Sequence, residues 1–183
     1  MVASPAPTTP PPGCVLPAAR RTFHNTHFSV WVDEGSGIVV TQRTDVPFST
    51  MSQLNDIFDE LADTLDELGR SRYLLLADMR AIQGRNDPDF DMAIRRQLPR
   101  WLGGFRRVGV LVRTVVGMMQ IQRHAKYDGI DRLASNSLPE LLRYFQRRVH
   151  DPEEAADRDD RHGRGAARGE DQVVHRADGL VAL

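Results

Sequence analysis

Asp78 and Arg80 are the polar residues best placed to do chemistry, in the stretch LLLADMRAIQGRNDPDF that runs from Leu74 to Phe90. Two positions apart on an extended chain, an acid and a base face the same side. At the carboxyl end of a buried strand, where open α/β sheets tend to place ligands, such a pair can hold a polar ligand or brace its own loop. No second acid, nucleophile or base stands nearby in sequence to complete a catalytic set, so bracing is the simpler expectation. The other polar motifs lead to less. His24 and His27 lie close in sequence, but a transition-metal site commonly wants three or four ligands and no third is evident. His124 and Asp128 have the i,i+4 spacing of an exposed side-chain pair on one helix. Ser36 in EGSGI lacks the strand-to-helix turn of a nucleophile elbow. GRGAARG, near the C-terminus, has no strand before it and no helix after it, so it is no phosphate loop. The expectation is therefore a protein without enzymatic activity, with no catalytic residue, no metal and no cofactor.

These residues need a scaffold, and the hydrophobic periods supply one. HFSVWVD alternates, EGSG turns, and GIVVTQRT follows, which predicts an antiparallel hairpin. Met51, Leu54, Ile57, Phe58, Leu61, Leu65 and Leu68 then hold one helical face, with Thr50 and Gln53 as a capping box and Gly69 as the stop. RYLLLAD reads as a strand buried on both faces. Asp87 as N-cap and Pro88 at the first helical position open a second helix carrying Phe90, Ala93, Ile94 and Leu98 inward, which Pro99 is expected to break or kink. RRVGVLVRT is another buried strand, Val115 to Tyr127 a third helix, Ile130 to Ala134 a short strand, and Ser137 with Glu140 caps a last helix. The fold class is α/β: a mixed sheet of four to five strands opened by a β-hairpin and covered by about four helices.

Composition sets the limits of this unit. The chain has 183 residues, 40% apolar and 27% charged, with a formal net charge of -1, which suits one domain. Residues 1–23 form a Pro-rich leader, residues 24–150 the α/β domain, and residues 151–183 a tail of mixed charge that buries too little to offset its ordering entropy. The closing VVHRADGLVAL is assigned to that tail. A single cysteine, Cys14, permits no internal disulfide, and no secretory signal or long apolar run is present, so a cytoplasmic protein without a transmembrane segment is expected.

Charge is segregated. Asp33 to Leu68 holds nine acidic residues and one arginine, whereas Met79 to Lys126 holds ten basic residues and three acidic ones. Either the acidic first helix and the arginine-rich second helix lie side by side and neutralise each other, or Arg95, Arg96, Arg100, Arg106 and Arg107 form a basic face for an acidic partner. Nucleic acid is not expected, because the overall balance is slightly negative and no stacking aromatics interleave with the arginines. Met118, Met119 and Ile121, with Gly117 beside them, suit either core packing or a groove for a lipid or a partner helix.

The order of elements resembles the STAS fold of bacterial anti-sigma-factor antagonists, and in particular the divergent branch grouped with CRAL-TRIO-like lipid-transfer folds. LLLADMRAIQGRNDPDF, RRVGVLVRTVVGMMQIQRHAKYDG and SLPELLRYF carry the resemblance, which covers roughly His27 to Val149. It implies a regulatory domain that acts by binding another protein. Phosphorylated members carry Asp-Ser-x-Gly after the central strand, whereas this chain reads Asn86-Asp87-Pro88-Asp89. With Asp87 about where the serine would stand, the resemblance does not bring a serine phospho-switch with it. Protein binding through Asp78, Arg80, Asp87, Arg95, Arg96 and Arg100 is one expectation, and a small-ligand or lipid carrier using the end of the central strand with Met118 and Met119 is the alternative.

Overall fold

The computed structural model describes residues 16, 18–82 and 87–147. The leader up to residue 15, Gln83–Asn86, Val149 and the charged tail lie outside the described residues. Six strands and four helices follow one another as β1 (Arg20–His24), β2 (Phe28–Asp33), β3 (Ile38–Arg43), α1 (Met51–Leu68), β4 (Leu74–Asp78), α2 (Pro88–Leu102), β5 (Val108–Leu111), α3 (Val115–Asp128), β6 (Arg132–Ser135) and α4 (Leu138–Gln146). All six strands form one mixed sheet whose spatial order is the chain order. β1, β2 and β3 are antiparallel neighbours, and β3, β4, β5 and β6 run parallel.

The architecture is thus the expected α/β class with one strand more than foreseen. The addition is β1, which lies almost wholly inside the segment assigned to the leader. Its RRTFH has no alternating apolar pattern, and its side chains are exposed or half-buried, so nothing in its composition marks an edge strand. Leu16 and Ala19, just before it, are buried.

Alternation along the strands separates two cores. Val30, Val39, Leu75, Ala77, Val108 and Val110 join Leu54, Phe58, Leu61 and Leu65 of α1 and Ala93, Leu98, Trp101 and Leu102 of α2. Their neighbours Trp31, Val40, Leu76 and Leu111 face the other way, onto Leu141 and Phe145 of α4. Fully burying each such side chain contributes about 1.5–3 kcal/mol.

Local chemistry fixes the helix ends. The Thr50 hydroxyl accepts the Gln53 N–H at 3.1 Å, Gln53 Oε1 accepts the Ser49 N–H at 2.7 Å, and Gly69 ends α1 at φ 75°. Asp87 caps α2 through the Phe90 N–H at 3.0 Å, with Pro88 at the first position. Pro99, expected to break or kink this helix near WLGGF, lies in its last turn, and the helix stops inside that stretch. It removes only the bond its own N–H would make, and the helix ends at Leu102, where the Gly103 N–H still returns to the Pro99 carbonyl at 3.0 Å.

Candidate functional site

A cavity of about 510 Å³ opens between the parallel strands, α2, α3 and the loop that joins β3 to α1. Val46, Pro47 and Phe48 of that loop, Phe58 of α1, Met79 and Ile82 after β4, Val110 of β5 and Ile121 of α3 contribute apolar walls. Phe90, Ile94, Leu98, Trp101 and Leu102 supply the wall from α2. Arg43, Asp45, Asp91, Gln120 and His124 are the polar lining among the described residues. An apolar concavity of this size with a few polar groups is the usual form of a small-molecule site.

The cavity follows from an imbalance in the helices that cover this face. α1 buries a full stripe, and α2 buries Ala93, Gln97, Leu98, Trp101 and Leu102, but the one buried residue of α3 is His124. Met118 and Ile121 pack partly against the core, while Val115, Val116 and Met119 are 58%, 70% and 64% exposed. A helix that buries so little leaves space beneath it.

Two polar groups on the cavity wall are unusual for their burial. Arg43 is 4% exposed, and strand alternation places it on the same face as Val39 and Thr41. Its guanidinium lies over the rings of Phe48 and Phe28, with centroids 4.3 and 5.3 Å away, and it donates to the carbonyls of His27, Thr44 and Val46. Burial pulls it down to about 10, against an opposing pull from the charge of Asp45.

His124 is 7% exposed, with Nε2 3.3 Å from Asp91 Oδ1, while Asp91 also holds Arg95 at 2.7 Å. Burial pushes the imidazole below its usual value, Asp91 pulls it up, and Arg95, Arg132 and Arg123 add to the lowering. His124 therefore does not pair with Asp128 as its spacing suggested. Asp128 is taken by Arg132, in a buried fork at 3.0 and 2.8 Å. The Asp91–His124 pair has the form of an acid–base dyad, but the buried Nδ1 of His124 has no hydrogen-bond partner among the described residues. No serine, threonine or cysteine lines the cavity among the described residues.

None of the binding candidates Asp78, Arg80, Asp87, Arg95, Arg96, Arg100, Met118 and Met119 lines this cavity, whereas His124, weighed from sequence only for its spacing to Asp128, does. Asp78 shares the α4 side of the sheet with Leu76, and it is Met79, between Asp78 and Arg80, that reaches the cavity. Arg80 grips Asp78 through Nε at 2.9 Å and Nη2 at 2.7 Å, and its backbone N–H adds a third bond at 3.1 Å. This is the geometry of a braced loop. Asp87 is occupied as the cap of α2. Arg100 reaches Asp59 and Asp63 of α1, and Gln97 meets Asn55 at 3.0 Å, so part of the charge segregation is neutralised between α1 and α2. Arg95 pairs within its own helix and lies over Tyr127, and Arg107 donates to the Tyr144 carbonyl at 2.6 Å. Arg96 and Arg106 are exposed and have no ion pair among the described residues. Met118 packs partly into the core, and Met119 faces solvent. His24 and His27 go separate ways: His24 meets Ser29 at 2.9 Å, and His27 stacks on Phe48 and contacts the Val46 carbonyl. No group of three metal-ligating side chains occurs among the described residues.

Arg43 and Asp91 were the lining residues that sequence reasoning missed, and His124 was noticed there only for its spacing to Asp128. Arg43 left one trace, its position at the inward parity of Val39 and Thr41, and His124 left another, the helical spacing from Ile121. No helix among the described residues is long and apolar enough to cross a membrane. No family model matches the chain, and neither a curated protein nor a solved structure matches it.

Proposed function

We propose that this domain is a non-enzymatic binding module whose ligand is a small apolar molecule held between α2, α3 and the sheet. The 510 Å³ cavity carries the reading, because its walls are mostly apolar and its polar groups are few. The test is native mass spectrometry of the chain purified from its own host, alongside an Ile94→Trp variant that fills the cavity. The expected result is an added apolar mass on the wild-type chain that the variant lacks. A wild-type chain that carries no added mass, and whose melting temperature does not move with acyl compounds, would sink the idea.

A second reading is a STAS-like regulatory domain that binds a protein without a serine phospho-switch. It is favoured by the solvent-facing Val115, Val116 and Met119 at the start of α3 and by the exposed Arg96 of α2. Val116→Glu, and separately charge reversal of Arg95, Arg96 and Arg100, should each reduce recovery of a specific partner from the host. Recovery unchanged in both variants would remove this reading.

A further inference from the structure

Charges taken out of water are normally paired. The protein follows that rule at buried Arg132, which forks onto Asp128, and at buried Asp78, onto which Arg80 forks. Arg43 departs from it. Its Nη1 donates to the carbonyls of His27 and Thr44 and to the Thr44 hydroxyl, at 3.1, 2.9 and 3.1 Å, and its Nη2 makes one bond, to the Val46 carbonyl at 2.6 Å. Among the described residues Nε–H donates to nothing, Nη2 keeps a second hydrogen, and no carboxylate forms an ion pair with the group. These are the same two nitrogens with which Arg80 holds a carboxylate. With one face of the guanidinium over Phe48, its remaining donors point along the edge.

We propose that the cavity takes an amphiphilic carboxylate, a fatty-acid-like monoanion, with its head on the Nε/Nη2 edge of Arg43 and its tail along the apolar walls. This rests on the reading of the cavity as a ligand site and adds the class of ligand. A planar carboxylate matches the two-donor edge of a guanidinium, and in a desolvated setting that match discriminates strongly against a neutral head. The other charges of the lining favour a single negative charge over two. Asp91 is already engaged by Arg95 and His124, whereas exposed Asp45 repels any anion that approaches.

The test is displacement of Nile red from the full, delipidated chain by dodecanoate and by dodecanol, which share a tail and differ in the head. Dodecanoate is expected to compete at about tenfold lower concentration or better, and Arg43→Met to bring acid and alcohol together. Equal competition by both in the wild-type chain would overturn the assignment of the head while leaving the cavity as a binding site. Competition by neither would overturn both readings. Discrimination that persists in a folded Arg43→Met protein would also overturn the assignment. The wild-type comparison of acid and alcohol decides the matter even where the variant does not fold.

Discussion

The two faces of the sheet are covered differently, and the face with more cover is the looser one. α4, with buried Leu16 and Ala19 in the same core, closes its side so tightly that a Cβ added to Gly109 would stand 2.9 Å from Phe145 Cζ and 3.2 Å from Leu141 Cδ2. On the other side three helices leave a 510 Å³ cavity. The difference lies in what each helix presents. Leu141 and Phe145 of α4 both reach the sheet, and Gly109 yields the room for them, whereas α3 sends in little more than His124 and half of Met118 and Ile121. Cover by secondary structure and filling of space are separate properties, and a binding site forms where the first is present without the second.

Four changes sharpen or break that contrast. Phe145→Ala opens the tight face and should cost about 3–5 kcal/mol, read from denaturant unfolding. Gly109→Ala overpacks the same contact and should cost about 1–3 kcal/mol by the same measurement. If either cost falls below about 0.5 kcal/mol, well under what a close-packed core loses, the tight face is not what the geometry makes it. Across the sheet, Ile121→Phe adds volume where space exists and should change stability by less than about 1 kcal/mol, because the cavity takes up the ring. A cost equal to that at Gly109 would mean that this face too is close-packed. The smallest effect is that of pH. Burial holds His124 below its ordinary value of 6.5, so the unfolded chain takes up the proton first. The stability this residue contributes is complete above pH 6.5 and falls as the pH drops from there toward the lower value of the folded protein. His124→Asn should flatten that part of a melting-temperature profile, and an unaltered slope would place its origin elsewhere.

Much of the scaffold was legible in the sequence, because it follows from local rules. Alternation found β2 and β3, a helical stripe with Thr50 before it and Gly69 after it found α1, and unbroken apolar runs found β4 and β5. β1 was missed because an exposed edge strand needs no apolar pattern of its own. Pro99 marked the end of α2 to within a turn, because the helix stops at Leu102. The site was far less legible. Residues 43–48, 79–82, 90–102 and 110–124 meet at the cavity, and no local pattern records that Arg43 and His124 will line the same space. Asp78 and Arg80 drew attention as a conspicuous pair, yet a pair that satisfies itself has little left for a ligand.

The sheet has one further property, which concerns how the chain reaches this state. Its strands are stacked in the order in which they occur, so each partner of a new strand is the strand made just before it. On a ribosome the sheet can grow at one edge as the polypeptide emerges, with no earlier edge held open for a late arrival, although each parallel pairing waits for its helical crossover to close. α4 is the exception, since it comes last and covers residues from β2 to β5. Until it docks, Trp31, Val40, Leu76 and Leu111 lack the cover of Leu141 and Phe145, and a nascent chain with that apolar patch uncovered is exposed to aggregation.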